Sequence, residues 1–164
     1  MSNPSRKAGA VSLIRSLAHN LFATLVAFGF AFVGSKLDLW LGVPTFESVF
    51  ATAAGSSCLA IGFFLRVWAA FHFYQHQMKV ISLEPQNALV TSGPYRFSRN
   101  PLYLGGNVFM FLGASLLLGT ASGIVLTILH LPLIDWMIRR EERQLEEKFG
   151  DTFRNYKKRV RRWL

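Results

Sequence analysis

Between Gly93 and Gly106 the chain reads Gly-Pro-Tyr-Arg-Phe-Ser-Arg-Asn-Pro-Leu-Tyr-Leu-Gly-Gly, placing two arginines, two tyrosines and an asparagine between strongly apolar regions. Arginine clamps carboxylates through a planar fork of donors, tyrosine stacks on aromatic bases, and asparagine both donates and accepts. Pro94 and Pro101 favour extended or turned backbone up to Asn100, and Pro101 suits the first turn of a helix. The same residues would also serve as an interfacial belt, with Tyr and Arg anchoring a helix end at the headgroups. Some 35 residues further on stand Glu141 and Glu142, flanked by arginines. Alone, this pair reads as a solvated helix face with ion pairs such as Arg139–Glu142 and Arg143–Glu147. Facing Arg99 and Tyr103, it becomes the rim of a site for a ligand with both a cation and a carboxylate. Arg99 would clamp the carboxylate, a glutamate would take the ammonium or a pair of hydroxyls, and Tyr103 would stack on a base.

Arg66 lies seven residues before the end of an apolar segment, ~10 Å deep at ~1.5 Å per residue. A charge at that depth either marks function or snorkels to the interface. His72 and His76 are spaced i,i+4 as zinc ligands can be, but no third ligand accompanies them, which favours interfacial histidines. The single Cys58 excludes an internal disulfide and any multi-cysteine metal site.

The elements that must position these residues are apolar helices. The 164 residues are 51% hydrophobic and only 16% charged, against about 25% in a typical soluble domain. Met1–Ala10 reads as a flexible lead, extending to about residue 12. Apolar helices are expected at about Leu13–Gly34, Val49–Phe73, Leu102–Leu118 and Ile124–Ile138. Between them lie a loop at Ser35–Glu47, a polar loop at Gln75–Thr91 containing Lys79, Glu84 and Pro85, and a turn at Gly119–Gly123. Ala23, Ala27 and Ala31 form a small-residue face that matches Ala54, Cys58 and Gly62 on the second helix. Pro132 should kink the fourth helix, and His130 and Asp135 are polar groups at membrane depth. The helical pattern then continues to Phe149. Gly150 and Asp151 read as C′ residue and N-cap, and Phe153, Tyr156, Val160 and Trp163 share one face of a basic amphipathic helix suited to a membrane surface. The expected fold is therefore all-α: a single polytopic membrane domain of about four transmembrane helices plus an interfacial C-terminal helix.

The net charge of +9 is concentrated, with ten Lys or Arg in the last 26 residues. In so apolar a chain this suggests anionic lipid rather than nucleic acid as the partner. Lys and Arg cluster in the N-terminal segment, the 72–101 region and the tail, whereas the opposite loops hold only Lys36. The positive-inside rule puts both termini and the site on the cytoplasmic side. The third and fourth helices form a short hairpin, so Gly93–Gly106 and Arg139–Glu142 should be neighbours in space.

Gly93-Pro-Tyr-Arg, then Arg99-Asn-Pro-Leu-Tyr-Leu-Gly, then Glu141-Glu142 and a Phe149-Gly150…Tyr156 tail resemble the isoprenylcysteine carboxyl methyltransferase family, itself related to the membrane phospholipid methyltransferases. The resemblance covers roughly Asn87–Val160, with a weaker Gly62-x-x-x-Arg66 feature. The family pattern is Arg-His-Pro-x-Tyr-x-Gly followed by Glu-Glu. Asn100 stands where many members have histidine, and it cannot titrate near neutrality. The resemblance implies an integral-membrane enzyme that binds S-adenosylmethionine and methylates a lipophilic acceptor entering from the bilayer. Tyr95, Arg99, Asn100, Pro101, Tyr103, Gly105, Glu141 and Glu142 would form the cofactor site. Arg66, Glu141 and Glu142 would be the catalytic candidates, with Arg66 and Tyr95 also placed to meet the acceptor. A carboxylate acceptor needs only positioning and loss of its water shell, whereas an amine must lose a proton, for which Glu141 or Glu142 are candidates. Two other classes stay open: a membrane reductase of the sterol-reductase type using NADPH, and a non-enzymatic scaffold with a basic tail.

Overall fold

The computed structural model describes residues 4–76 and 88–164, with backbone alone for 4–9. Met1–Asn3, Lys79, Glu84, Pro85 and Asn87, parts of the expected lead, polar loop and site region, lie outside the described residues. Within them the chain is helical: α1 Pro4–Leu41, α2 Val49–Gln75, α3 Pro101–Leu117, α4 Ala121–Phe149 and α5 Asp151–Arg159, with a 3-10 turn at Gly93–Arg96. From Ala10 onward α1 is long and apolar enough to cross a membrane, as are α2 and α4; α3 is a shorter apolar helix. The protein is an all-helical polytopic membrane protein, since buried backbone polar groups in lipid must be satisfied within helices.

The first helix is longer than its apolar core suggests. It already includes Pro4–Ala10, the expected lead, and continues through Ser35–Leu41, the expected start of a loop. No breaker interrupts the pattern until Gly42, whose φ of +69° closes the helix. Asp38 is thereby carried into the bundle and buried rather than exposed in a loop. Its Oδ2 accepts from Thr120 Oγ1 at 2.5 Å and its Oδ1 from the Ser122 backbone N–H at 2.9 Å. Thr120 in turn accepts from the Gly123 N–H at 3.1 Å. Together they satisfy first-turn donors of α4, which would otherwise be buried unpaired. Phe46 N–H donates to the Gly119 carbonyl at 3.0 Å and closes the same end of the bundle. The fourth helix then runs unbroken through Pro132 to Phe149.

Helix packing is set by glycine pairs. A Cβ on Gly62 would stand 2.5 Å from the Gly105 carbonyl oxygen, and one on Gly113 2.8 Å from that of Gly55, so α2 and α3 cross backbone to backbone. The alanine face of α1 packs differently from expectation. Ala27 and Ala31 are buried against Met110 and Ala114 of α3, while Ala54 of α2 is exposed. The stripe that α2 commits to the interior is Gly55, Gly62, Ala69, Ala70 and Phe73, with glycine at the two points where the α3 backbone comes closest. Leu104–Met110 of α3 is π-helical, a widened turn often associated with functional sites.

At the C-terminal end, Gly150 at φ +50° caps α5 and Asp151 lies within its first turn, a shift of one residue from the expected N-cap. Phe153 and Tyr156 are buried beneath the site, so the apolar stripe of α5 packs on the protein itself. The helix stops at Arg159, and Val160 is extended, separating Val160 and Trp163 from that stripe. Its outer face is basic, with Arg154 and Lys157 paired to Glu146 at 3.1 and 3.2 Å.

Candidate functional site

The hairpin of α3 and α4 brings the two motifs together. Arg99, just before α3, donates from Nε and Nη2 to Glu142 Oε1 at 3.0 and 2.8 Å. Arg162 grips the same carboxylate from the other side, with Nη2 to Oε2 at 2.8 Å, and reaches Asp135 at 3.2 Å. Glu142 is thus buried, 6% exposed, between two guanidinium groups. Its partners are not those of a solvated helix face: Arg139 pairs with Asp135 at 2.6 Å instead. The Glu142 carboxylate holds the charge of Arg162 and raises its pKa above the ordinary arginine range. Arg99 Nη1 donates to the carbonyls of Lys157 and Val160 at 3.2 and 2.6 Å. Four of its five N–H donors are thereby engaged, which leaves no free fork for a bidentate ligand carboxylate.

Residues 157–162 are tied across the motif by further bonds. Arg99 N–H donates to the Arg161 carbonyl at 2.9 Å, and Ser98 Oγ and Asn100 Nδ2 both donate to the Arg162 carbonyl at 3.2 Å. Asn100, standing in the histidine position of the family pattern, therefore acts here as a donor to backbone.

Tyr103 OH donates to Glu141 Oε1 at 2.6 Å, and Glu141 is exposed. On α2, Arg66 donates to Asn20 Oδ1 at 2.9 Å, to the Leu102 carbonyl at 2.8 Å and to His19 Nε2 at 3.1 Å, linking α1, α2 and α3. The Tyr95 ring stacks on Phe73 at 5.3 Å, and its carbonyl accepts from Tyr156 OH at 2.7 Å. Burial pushes the Tyr95 hydroxyl well above the usual tyrosine range and that of Tyr156 up to about 12.

These groups surround a cavity of about 490 Å³, within the range of small-molecule sites. Arg66, Tyr95, Arg99, Asn100, Pro101, Tyr103, Glu141 and Glu142 all line it. Gly105 does not; it packs against the Gly62 carbonyl and Arg66, and its neighbour Gly106 faces the cavity instead. Phe22, Ala23 and Val26 of α1, Phe111 of α3 and Met137 of α4 supply apolar wall. Phe22 and Val26 are exposed on α1. A larger open groove of about 910 Å³ between α1 and α2 is lined by residues such as Leu13, Ile61 and Phe64 and carries no titratable group.

Several residues of the cavity and its surroundings were not distinguishable in the sequence. Arg162 is one cation in a basic run. His19 and Asn20 mark only an amphipathic helix start, yet Asn20 is buried and holds Arg66. Asn107 lines the cavity and lies 3.3 Å from His130 Nε2, whose ring stacks on Phe111 at 5.1 Å. His72 and His76 each turn Nδ1 to a backbone carbonyl of the preceding turn, and among the described residues no group of three His, Cys, Asp or Glu gathers.

Fold and site together define a membrane-embedded helical protein with a half-polar, half-apolar cavity. A family profile for phospholipid methyltransferases matches residues 50–152. The chain belongs to the phospholipid methyltransferase family. It is 32% identical over 117 residues, 69% of its length, to the protein-S-isoprenylcysteine O-methyltransferase of Schizosaccharomyces pombe, and spans about half (48%) of that relative. An uncharacterized protein of Haemophilus influenzae is 41% identical over 58 residues, 35% of this chain and 92% of that protein. No solved structure matches the chain.

Proposed function

We propose that this protein is an S-adenosylmethionine-dependent methyltransferase for a lipophilic acceptor, with its site and both termini on the cytoplasmic side. One observation carries the reading: a single cavity joins the residues of both family motifs to apolar wall from α1, α3 and α4. The donor set suits the cofactor. Tyr103 offers a ring for a base, and Glu141 an exposed carboxylate for hydroxyls or an ammonium. Asn100 and Pro101, with the Arg99–Glu142 pair, would frame that end of the cavity, and Gly105 would support it from behind through its packing on α2. The clustering of Lys and Arg near this end supports the cytoplasmic placement.

S-adenosylmethionine, when bound, supplies an electrophilic methyl group on a sulfonium. The task of the chain is to align an acceptor and exclude water. For a carboxylate acceptor no base is required. For an amine, Glu141 is the available base, because Glu142 is held by two arginines. The isoprenylcysteine and phospholipid chemistries in the relatives' names are the two acceptor classes to compare.

Calorimetric titration of the detergent-purified protein with S-adenosylhomocysteine tests the proposal. Saturable binding is expected, weakened about tenfold or more by Glu141→Ala, the loss of one charge-assisted contact. Absence of binding, or saturable NADPH binding in its place, would overturn it.

A further inference from the structure

Arg66 is a cation inside a membrane-spanning helix whose partners are all neutral: an amide oxygen, a backbone carbonyl and an imidazole nitrogen. A guanidinium N–H beside His19 Nε2 requires that nitrogen to accept, so it brings no negative charge either. Among the described residues no carboxylate lies within 4.0 Å of Arg66, whereas Arg99, Arg139, Arg154 and Arg162 all have one. An intramembrane charge without a counter-ion is costly and is retained where something else supplies the opposite charge. Three of the five guanidinium N–H groups are used, and the side chain lines the cavity.

A second, independent feature belongs to a residue that lines the same cavity. The Tyr95 side chain is almost wholly buried, 4% exposed, and its hydroxyl has no hydrogen-bond partner. Stacking on Phe73 and the bond from Tyr156 to its carbonyl fix the ring in place. A rigid unpaired donor lining the same cavity as a cation without an anion offers two groups that suit an oxyanion. On the α1 side this corner continues into Phe22, Ala23 and Val26.

We propose that Arg66 and the Tyr95 hydroxyl bind the oxyanion of an amphiphilic acceptor whose apolar chain lies along Phe22, Val26 and Met137. Either a carboxylate or a phosphate would satisfy this chemistry. The word acceptor rests on the methyltransferase reading; the oxyanion site does not.

The test measures binding of laurate, dodecyl phosphate and neutral dodecanamide to the full chain in a maltoside detergent, with S-adenosylhomocysteine titrated in parallel. At least one anion should bind about tenfold or more tightly than dodecanamide, and the tighter anion identifies the headgroup class. Tyr95→Phe removes an oxygen with no partner, so the variant should melt no lower than the wild type. It should nevertheless lose about tenfold in anion affinity, and Arg66→Gln should abolish the preference over dodecanamide. Equal binding of anion and amide, or unchanged anion affinity in Tyr95→Phe, would overturn the proposal. So would loss of S-adenosylhomocysteine binding in Arg66→Gln, because the anion served would then be the cofactor's. Failure of the methyltransferase reading looks different: the wild type would not bind S-adenosylhomocysteine, while the amphiphile comparison would still stand.

Discussion

Arg99 and Glu142, 43 residues apart, meet through two hydrogen bonds to a single oxygen, and Arg162 takes the other. The carboxylate is therefore a buried junction between the start of α3, the end of α4 and the segment after α5. Removing one member of such a buried group leaves its partners' charge uncompensated. Glu142→Ala should lower stability by about 3 kcal/mol, read as a drop in melting temperature in detergent. Glu141→Ala, at an exposed position, should shift melting little while weakening S-adenosylhomocysteine. Equal melting losses in the two variants would contradict a structural role for Glu142 and a ligand-binding role for Glu141.

The Gly62–Gly105 crossing offers a sharper packing test. A side chain at Gly62 meets the backbone of α3, which cannot rotate away. Gly62→Leu should cost several kcal/mol or prevent folding, beyond the roughly 1–3 kcal/mol of ordinary overpacking. Gly29→Ala is the contrast. A Cβ there meets nothing within 4 Å, so the change should stabilise α1 by up to about 1 kcal/mol. Thermal melting of the two variants decides the matter.

Asp38 lies at the opposite end of the bundle from the motifs and holds the first turn of α4. Asp38→Ala should destabilise by about 2 kcal/mol, the loss of a cap together with buried donors left unpaired. Affinity for S-adenosylhomocysteine should be unchanged in whatever fraction remains folded, as measured by calorimetry after size-exclusion purification.

Alkaline pH probes the floor of the site. The hydroxyl of Tyr156 is held protonated to about 12 by burial, against about 10 in an unfolded chain. A raised folded-state pKa contributes stability that is complete below about pH 10 and is lost as pH rises through about 12. Tyr95 is shifted in the same direction. Melting temperatures should therefore fall across that window as tyrosinate absorbance appears. Tyr156→Phe should start lower, having lost its bond to the Tyr95 carbonyl, and fall less steeply.

The spans and the α3–α4 hairpin were legible in the sequence because hydropathy and a short glycine-rich turn leave few alternatives. Juxtaposition of Arg99 and Tyr103 with the glutamates followed from that hairpin alone. What could not be read were matters of partner choice. Arg162 differs in no local way from Arg161, which is exposed; only the fold brings its side chain to Glu142. The stripe of Phe153 and Tyr156 would look the same whether it faced lipid or the protein interior. Asp38 resembles a loop residue because its cap partners lie 82 and 84 residues away. Glycine stripes, equally, say that helices approach closely without saying which helix arrives.

The π-helical stretch of α3 has a consequence for insertions and deletions. Each π turn takes up one residue more than an α turn. Removing a single residue between Leu104 and Met110 would let α3 revert to regular geometry with its phasing kept, because six α residues at ~100° each turn the helix about as far as seven π residues at roughly 85°. Tyr103 would still meet Glu141 and the Leu102 carbonyl Arg66, and the change would be confined to the wall around Gly106 and Asn107. The regular turns of Phe111–Leu117 hold no such slack. One residue fewer there would swing the Pro101–Tyr103 end by about 100° relative to the end of the helix, and a chain with every motif residue intact would still insert into a membrane and would lack the cavity.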